Sequence, residues 1–362
     1  MSGIVGTNAG RGSGSIGTAA SGATVSASDP AIDTNPADGV GTQWVNSTSG
    51  EMFVCTDATT DANAWTNVGG GSGDIEPFTF QGSNFGYTSG GYTSGRVDVI
   101  DKYSYSSDGN ATDVGNLTAA KNGVSANSSK TDGYVNGGYD SGGYTNVIEK
   151  FSFSSDGNAT DVCDQSVTRT EAAGSSDGTD GYLAGGDASG SASNVIDRFN
   201  YAAGSNATDV GDLTVSRSNS MGQSSSSHGY TSGGTVSGDV IDKYSFAASA
   251  NATDVGDLTS SRSSCTGSSS TTHGYGVGGT GDSNVIDKWT FASDANATDV
   301  GDLTSGRGSG GGSSSTTHGY CSVGYVGGNS NIIDKFAFAS DGNATDVGDA
   351  TVARRGATGQ QY

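Results

Sequence analysis

Proline, cysteine, basic residues and long apolar runs are all scarce in this chain of 362 residues. No run of 18 apolar residues occurs, so we expect no transmembrane helix and no membrane insertion. The first residues contain neither a basic nor an apolar segment, which predicts no signal peptide. Only 16 basic residues oppose 38 acidic ones, and the net charge of −22 repels phosphate backbones, so no nucleic-acid partner is expected.

The four cysteines stand at unrelated spacings and form no CxxC pair; they are Cys55, Cys163, Cys265 and Cys321. They therefore indicate neither a zinc site nor a disulfide framework, and we expect them to be small, mostly buried side chains. Nucleophile-elbow, HExxH and P-loop motifs are missing as well. We accordingly expect a protein that is not an enzyme, with no catalytic residue, no resident metal and no cofactor.

Glycine, by contrast, is abundant, and several short motifs recur six times. Val-Ile-Asp-Lys-aromatic places its Ile at 100, 148, 196, 241, 286 and 333. Asn-Ala-Thr-Asp-Val begins 10 positions later each time, and a basic residue follows that Asn after 11 positions. A Gly-Tyr pair then comes 13 positions on, usually followed by a Gly doublet. Only the step from Tyr to the next Ile changes, so length varies in one loop per repeat. These variable loops are 92–98, 139–146, 187–194, 235–239, 280–284 and 325–331.

Each repeat of 45–48 residues has the pattern of four short strands. We label them A (after the basic residue), B (Gly-Tyr), C (Val-Ile-Asp-Lys) and D (Ala-Thr-Asp-Val). Six such units predict an all-β, six-bladed β-propeller. The residues after Arg354 match strand A, so we expect this last strand to join residues 86–117 and close the first blade. Residues 78–80 are an alternative for that place.

The repeats resemble the kelch repeat of six-bladed propellers over about residues 86–362. The resemblance rests on the Gly doublet 185–186, the strand C aromatic Phe199 and the strand A basic residue Arg217. Strand D carries Ala-Thr where the kelch pattern usually has Trp. The repeating Asn-Ala-Thr-Asp-Val-Gly-Asp-Leu-Thr units are also similar to propeller proteins of marine bacteriophages.

The amino-terminal third has a different composition. Residues 1–28 are a low-complexity Gly/Ser/Ala arm that cannot build a core and, if ordered, needs partner chains. Residues 29–70 predict a small β-hairpin module around Trp44, Phe53 and Trp65, and residues 71–85 a linker to the propeller at 86–362. So small a module rarely folds alone, which favours a homo-oligomer, above all a trimer. It resembles the Trp-bearing modules of bacteriophage tail-fibre and virion appendage proteins, which implies a place on the virion surface with other virion proteins bound through the arm.

Twelve of the 16 basic residues fall at two repeat positions, which indicates a structural role. We expect the basic residue that opens strand A to bind loop carbonyls or a carboxylate such as Asp197. These structural positions are Lys121, Arg169, Arg217, Arg262, Arg307 and Arg354.

Three further repeated features have a structural and a functional interpretation. His228, His273 and His318 share one position with Asp132 and Asp180, where a left-handed turn residue is favoured over a metal or acid–base role. Asn-Ala-Thr is a glycosylation sequon, for which an Asx turn is the favoured interpretation. The acidic Asn-Ala-Thr-Asp stretches leave weak Ca²⁺ binding open, although they lack the EF-hand ligand order.

The variable loops are rich in Tyr, Ser, Gly and Asn, a composition typical of adaptable binding loops. In an up-and-down blade, the B–C and D–A loops emerge on the same side, so these loops would share one face. The candidate ligand-binding residues there are Tyr92, Arg96, Tyr139, Tyr144 and Tyr325. We expect a tail or head fibre whose propeller contacts a host-cell glycan or protein. The alternatives are a structural decoration protein of capsid or tail, and a free lectin.

Overall fold

The computed structural model describes residues 22–69 and 81–361, which belong to two units. All regular structure in these ranges is β-strand, which confirms the expected all-β class. The described chain therefore contains no helix that is long and apolar enough to span a membrane. Arm residues 1–21, residue 70 of the module and linker residues 71–80, including the competing segment 78–80, lie outside the described residues.

The amino-terminal unit is a four-stranded sheet. Its strands in spatial order are β1 (Thr24–Ser26), β2 (Gln43–Asn46), β3 (Met52–Asp57) and β4 (Ala64–Asn67). Phe53 and Trp65 are buried at its centre, and the Trp44 ring meets that of Trp65 edge-on at 6.0 Å. Strand β1 pairs in parallel with β2, so residues 24–26 of the arm are held by a strand of the same chain. The sheet thus starts before residue 29, where we had expected the module to begin.

The second unit contains six four-stranded sheets, which we number along the chain. Sheet 1 contains β5 (Phe85–Ser89), β6 (Val99–Ser104), β7 (Thr112–Asn116) and the last strand of the chain. Sheet 2 and its variable loop contain β8 (Ser125–Ser128), β9 (Asp132–Asn136), the small hairpin β10 (Tyr139–Asp140) and β11 (Gly143–Tyr144), β12 (Val147–Ser152) and β13 (Thr160–Asp164). Sheet 3 and its loop contain β14 (Ala173–Ser176), β15 (Asp180–Ala184), the small hairpin β16 (Asp187–Ala188) and β17 (Ser191–Ala192), β18 (Val195–Asn200) and β19 (Thr208–Asp212).

The remaining three sheets follow the same order. Sheet 4 contains β20 (Met221–Ser224), β21 (His228–Ser232), β22 (Val240–Ser245) and β23 (Thr253–Asp257). Sheet 5 contains β24 (Thr266–Ser269), β25 (His273–Val277), β26 (Val285–Thr290) and β27 (Thr298–Asp302). Sheet 6 contains β28 (Gly311–Ser314), β29 (His318–Tyr325), β30 (Asn329–Ala337) and β31 (Thr345–Arg354). Strand β32 (Thr358–Gln361) pairs antiparallel with β5, with Gly359 opposite Thr88.

Within every sheet the strands lie in the order A, B, C, D and pair antiparallel, with a β-bulge between C and D. Residues 81 and 82 already belong to this unit, because the Gly82 N–H donates to the Ser314 carbonyl at 2.8 Å and the Gln81 side chain donates to Ser269. The unit therefore begins earlier than residue 86, and the expected linker is shorter than 71–85.

The apolar core lies between successive sheets. One cluster, for example, joins Tyr87 and Ile100 of sheet 1 to Val135 and Phe151 of sheet 2. Similar clusters fill the boundaries of sheets 2 and 3, 3 and 4, 4 and 5, and 5 and 6. A sixth cluster packs Tyr320 and Ile333 of sheet 6 against Tyr103 and Ala111 of sheet 1. The core is thus divided among six boundaries, which explains how so apolar-poor a chain can bury enough surface to fold.

The repeated Gly-Tyr pair has a packing explanation. A Cβ on Gly133 would lie 2.5 Å from the ring of Phe151, and one on Gly181 would lie 2.5 Å from the ring of Phe199. The glycine lets the aromatic ring of strand C lie flat on the backbone of strand B. This contact recurs in all six sheets, so the glycine is required for close packing rather than for a turn.

The outer edges of neighbouring sheets are joined by the Asn-Ala-Thr motif. The Asn158 side chain accepts the Asn116 N–H at 3.0 Å, and the Ala159 N–H donates to the Asn116 carbonyl at 2.8 Å. The equivalent pair Asn110 and Ala111 of sheet 1 binds Asp349 of sheet 6 in the same way. The expected Asx turn is therefore wrong: this Asn side chain bonds to the adjacent sheet instead of to its own turn.

Candidate ligand-binding face

The variable loops and the segments that enter strand A meet at one edge of the sheets. The Tyr92 backbone forms a β-bridge with Arg355, as Tyr139 does with Asn122, and Tyr325 with Gly308. Thr170 and Asp187 form the same bridge in sheet 3. We call this surface the loop face. The expectation that B–C and D–A loops emerge together is confirmed by these pairings.

Buried ion pairs position the segments that enter strand A. Arg169 donates to Asp197 at 2.8 Å and to the carbonyls of Leu183, Gly185 and Val195. Both charged side chains are fully buried. Equivalent pairs are Arg217–Asp242, Arg262–Asp287, Arg307–Asp334 and Arg354–Asp101. Each guanidinium also donates to a strand B carbonyl. These contacts fix the segment that leads into strand A relative to strands B and C of the same sheet.

Sheet 2 has the same arrangement with both partners changed. Lys121 stands where the other repeats have Arg, and Glu149 stands where they have Asp. Both side chains are buried, and the Lys121 ammonium donates to the Glu149 carboxylate. The shorter reach of a single ammonium group is matched by a carboxylate that is one methylene longer. The two positions therefore form one structural unit.

A threonine completes most of these carboxylate sites. Thr214 donates its N–H and its hydroxyl to Asp242, at 3.1 and 2.6 Å. Thr259, Thr304 and Thr351 repeat these contacts with Asp287, Asp334 and Asp101. A buried carboxylate that accepts several charge-assisted hydrogen bonds is well compensated for its loss of water. We call these six buried ion pairs the frame. The repeated basic residues that open strand A thus belong to the frame and are not offered to a ligand.

Six residues, each two positions after a buried basic residue that opens strand A, form the inner rim of the loop face. They are Gly123, Glu171, Asn219, Ser264, Ser309 and Gly356, and all have positive φ between 55° and 64°. Each backbone N–H donates to the carbonyl of the preceding member at 2.7–3.1 Å, and Gly123 donates to Gly356. A left-handed conformation is uncommon for residues other than glycine, yet four of the six are not glycine. The hydrogen bonds between successive rim residues stabilise this conformation. The six residues and the A strands surround a cavity of about 240 Å³.

An aromatic row with stacked arginines runs along one side of the loop face. The Arg355 guanidinium lies 4.5 Å from the ring centroid of Tyr325 and 5.6 Å from that of Tyr92. The Asn329 side chain donates to the Tyr92 carbonyl at 3.1 Å and ties the sheet 6 loop to the sheet 1 loop. Tyr325 keeps 40% of its surface exposed. This part of the row is therefore a fixed stack with an open outer edge.

The row continues into the sheet 2 loop. Arg96 lies 4.5 Å from the ring centroid of Tyr139 and donates to the Asn122 side chain at 3.1 Å. Tyr139 meets Tyr144 edge-on at 5.1 Å across the small β10–β11 hairpin. All five candidate residues predicted from the sequence thus lie on one continuous surface. We call it the tyrosine row, and it comprises Tyr325, Arg355, Tyr92, Arg96, Tyr139 and Tyr144.

Two carboxylates stand at the far end of the tyrosine row. Burial and the neighbouring Asp187 carboxylate raise the pKa of Tyr144. Burial and the same Asp187 raise the pKa of Glu171, while the donating Asn219 amide opposes the shift. The row therefore has a cationic part around Arg355 and Arg96 and an anionic end beside Tyr144.

The opposite side of the loop face has short loops and small side chains. Thr235 and Thr280 occupy the positions of Tyr92 and Tyr139, and their N–H groups donate to Ser218 and Ser263. The loops at 235–239 and 280–284 are also the two shortest. We call this part the Ser/Thr sector.

The histidine and aspartate positions differ from the expected left-handed turns. Asp132, Asp180, His228, His273 and His318 begin strand B and do not have positive φ. The turn precedes them, for example with the Ser225 hydroxyl bonded at His228. Burial, then the adjacent lysine, lowers the pKa of each histidine. Among the described residues, no group of three His, Cys, Asp or Glu side chains is arranged to hold a metal ion.

Sequence reasoning missed Arg355 and Asn122 as members of the loop face, and it did not single out Asp187 within the variable loop 187–194. Arg355 carried a usable signal, because it is one of four basic residues outside the two repeated positions. Its equivalents in the other repeats are small or uncharged, such as Asn122, Ser218 and Gly308. A charge that breaks an otherwise regular repeat was therefore a better pointer to the face than loop composition alone.

Comparison with known proteins adds no family to these observations. The chain matches no protein-family model, and no curated protein has a matching sequence.

Proposed function

We propose that sheets 1 to 6 are the blades of a six-bladed β-propeller of kelch-like plan. The head-to-tail hydrogen bonds of the six rim residues support this, because they return from Gly356 to Gly123. The apolar cluster between sheets 6 and 1 supports it as well. The pairing of β32 with β5 would join the two ends of the chain in one blade and remove the open edges.

We further propose that this propeller attaches to a host-cell surface through its loop face, by recognition without catalysis. The tyrosine row is the observation that carries the proposal. It unites side chains from the loops of sheets 6, 1 and 2, whereas the repeated charges are held inside the frame. Rigid, partly exposed tyrosines contribute contact area at low entropic cost, as in other recognition surfaces.

The proposed setting is the surface of a bacteriophage particle, as part of a tail or head fibre. The resemblance of the Trp44–Trp65 module to virion appendage modules supports this setting. In the amino-terminal unit, Val25, Val40 and Val68 each keep more than half of their surface exposed. Exposed apolar side chains of this kind suit contacts with other virion proteins or with further copies of the chain.

Adsorption to cells tests the proposed function. The labelled full-length protein would be incubated with a panel of bacterial strains and the bound fraction measured. A Tyr139→Ala/Tyr144→Ala variant should lose about 10-fold or more in binding, since two partly exposed aromatic anchors of an interface are removed. The matched control is Thr235→Ala/Thr280→Ala, which truncates equivalent positions in the Ser/Thr sector and should leave binding unchanged.

Exchanging loop 92–98 with loop 139–146 gives a second readout. If both the exchange and the tyrosine variant adsorb as the unmodified protein does, the attachment role is wrong. If particles contain the chain but it adsorbs to no strain that they infect, the decoration alternative replaces it. Mass spectrometry of purified particles decides whether the chain is a virion component at all.

A further inference from the structure

The two arginines of the tyrosine row are unusual in so acidic a chain. The buried arginines pair with Asp, and lysines such as Lys102 and Lys243 pair with Asp at sheet boundaries. Arg96 and Arg355 form no ion pair with any carboxylate among the described residues. With 38 acidic residues in the chain, two unpaired guanidiniums on one face leave a local site for an anion.

The backbone fixes the spacing of these arginines. Tyr92 forms antiparallel bridges with Arg96 on one side and with Arg355 on the other. Each bridge separates two Cα atoms by about 4.5–5.5 Å, so the two arginines start about 10 Å apart with Tyr92 between them. From these positions the guanidiniums reach different tyrosines, Arg96 lying over Tyr139 and Arg355 over Tyr325.

The side-chain geometry also favours binding of an anion. Both guanidiniums lie against tyrosine rings, and Arg96 is further held by Asn122. Stacking restricts each side chain and leaves N–H groups of its planar fork free for a carboxylate, which the fork binds with two parallel hydrogen bonds. The tyrosine rings beside them offer apolar faces that suit the C–H face of a sugar ring.

We propose that the tyrosine row binds carboxylated saccharides, with sugar carboxylates on Arg96 and Arg355 and sugar rings against the neighbouring tyrosines. This inference rests on the proposed attachment function and names its ligand class. The carboxylates Asp187 and Glu171 lie beyond Tyr144, so the anionic part of the ligand is placed over Arg355 and Arg96, away from the Tyr144 end of the row.

Binding of the full-length protein to an array of neutral, carboxylated and sulfated glycans tests the ligand class. Carboxylated glycans should bind best, and methyl esterification of their carboxylates should weaken binding about 10-fold or more, the effect of losing one charge-assisted contact. Arg96→Gln and Arg355→Gln should each cause a comparable loss. Arg198→Gln is the matched control, since Arg198 also has no ion pair with another described residue but lies on strand β18, which is not part of the loop face.

The outcomes separate this inference from the proposed function. If neutral glycans bind equally well and the arginine variants behave like Arg198→Gln, the ligand class is wrong while attachment stands. Binding of sulfated glycans alone overturns the carboxylate assignment. If no glycan binds but cells still adsorb the protein through the tyrosine row, a protein receptor replaces the saccharide. Absence of both overturns the attachment function itself.

Discussion

Arg354 and Arg355 are neighbours in the chain but belong to two regions with different chemistry. Arg354 is fully buried, pairs with Asp101 at 2.8 Å and has an equivalent in every sheet. Arg355 is partly exposed, has no such equivalent and stacks on Tyr325 and Tyr92. The first belongs to a repeated frame of buried ion pairs, and the second to the loop face.

The difference shows how one repeat can combine constancy with variation. In the frame, each basic residue is matched by a carboxylate on strand C of the sheet that its segment enters, so a change at one position requires a change at its partner, as with Lys121 and Glu149. On the loop face, side chains extend from backbone that the frame already holds, and their identity is free to change between repeats. Frame substitutions should therefore affect stability, and loop-face substitutions should affect binding.

The largest expected effect is the loss of a frame arginine. Arg262→Leu removes the partner of the fully buried Asp287 and the donor to the Gly276 carbonyl. An uncompensated buried charge typically costs about 3–5 kcal/mol. We expect a clear fall in melting temperature and in the free energy of unfolding, measured by calorimetry and urea denaturation.

Arg355→Leu is the matched control for this comparison. It removes cation–π contacts at a partly exposed site, so it should cost less than about 1 kcal/mol. Equal melting temperatures for Arg262→Leu and the unmodified protein would refute the frame role. Equal losses for the two variants would refute the division between frame and face.

The Lys121–Glu149 pair gives a sharper test with an intermediate effect. Lys121→Arg should overfill the buried site and Glu149→Asp should leave the ammonium out of reach, each costing about 1–3 kcal/mol. The double variant recreates the Arg–Asp pair of the other sheets, so it should be more stable than either single variant. A double-mutant cycle measures this coupling, and additive losses would show that the two positions are independent.

Much of the frame was predictable because it repeats. The constant steps between Ile, Asn and the basic residue indicate four strands per unit, and the residues after Arg354 indicated a strand that the structure pairs with β5. The Asn110 and Asn158 contacts were missed, because the local sequence equally fits a turn within one repeat. A bond to the adjacent sheet depends on how sheets pack, which no short motif encodes.

The loop face was only partly predictable for a related reason. Tyr92 and Tyr139 stood out in the variable loops, but the stack of Arg355 on Tyr92 joins residues 263 positions apart.

The Gly doublet of sheet 6 was also not predictable from the repeat. Val323 replaces its first glycine and takes a φ of 57°. It packs on Ala350, where most repeats have Leu, so a larger residue is accommodated by a smaller neighbour that only the packed sheet reveals.

The smallest expected effect concerns the ion pairs between neighbouring sheets. Like the frame pairs, they recur at a fixed position of the repeat, and like the residues of the loop face, their side chains are partly exposed. Lys243 pairs with Asp294 across such a boundary, whereas Ser249 and Gly204 replace the acid at two others. Ser249→Asp should create a pair with Arg198 and stabilise the fold by about 0.2–1 kcal/mol. The gain should disappear in high salt, measured as melting temperature against ionic strength.

Gly204→Asp is the control and should bring no gain, because the backbone φ of 58° at residue 204 strains a residue with a Cβ. A gain of several kcal/mol that survives salt would place these boundary charges with the buried frame instead.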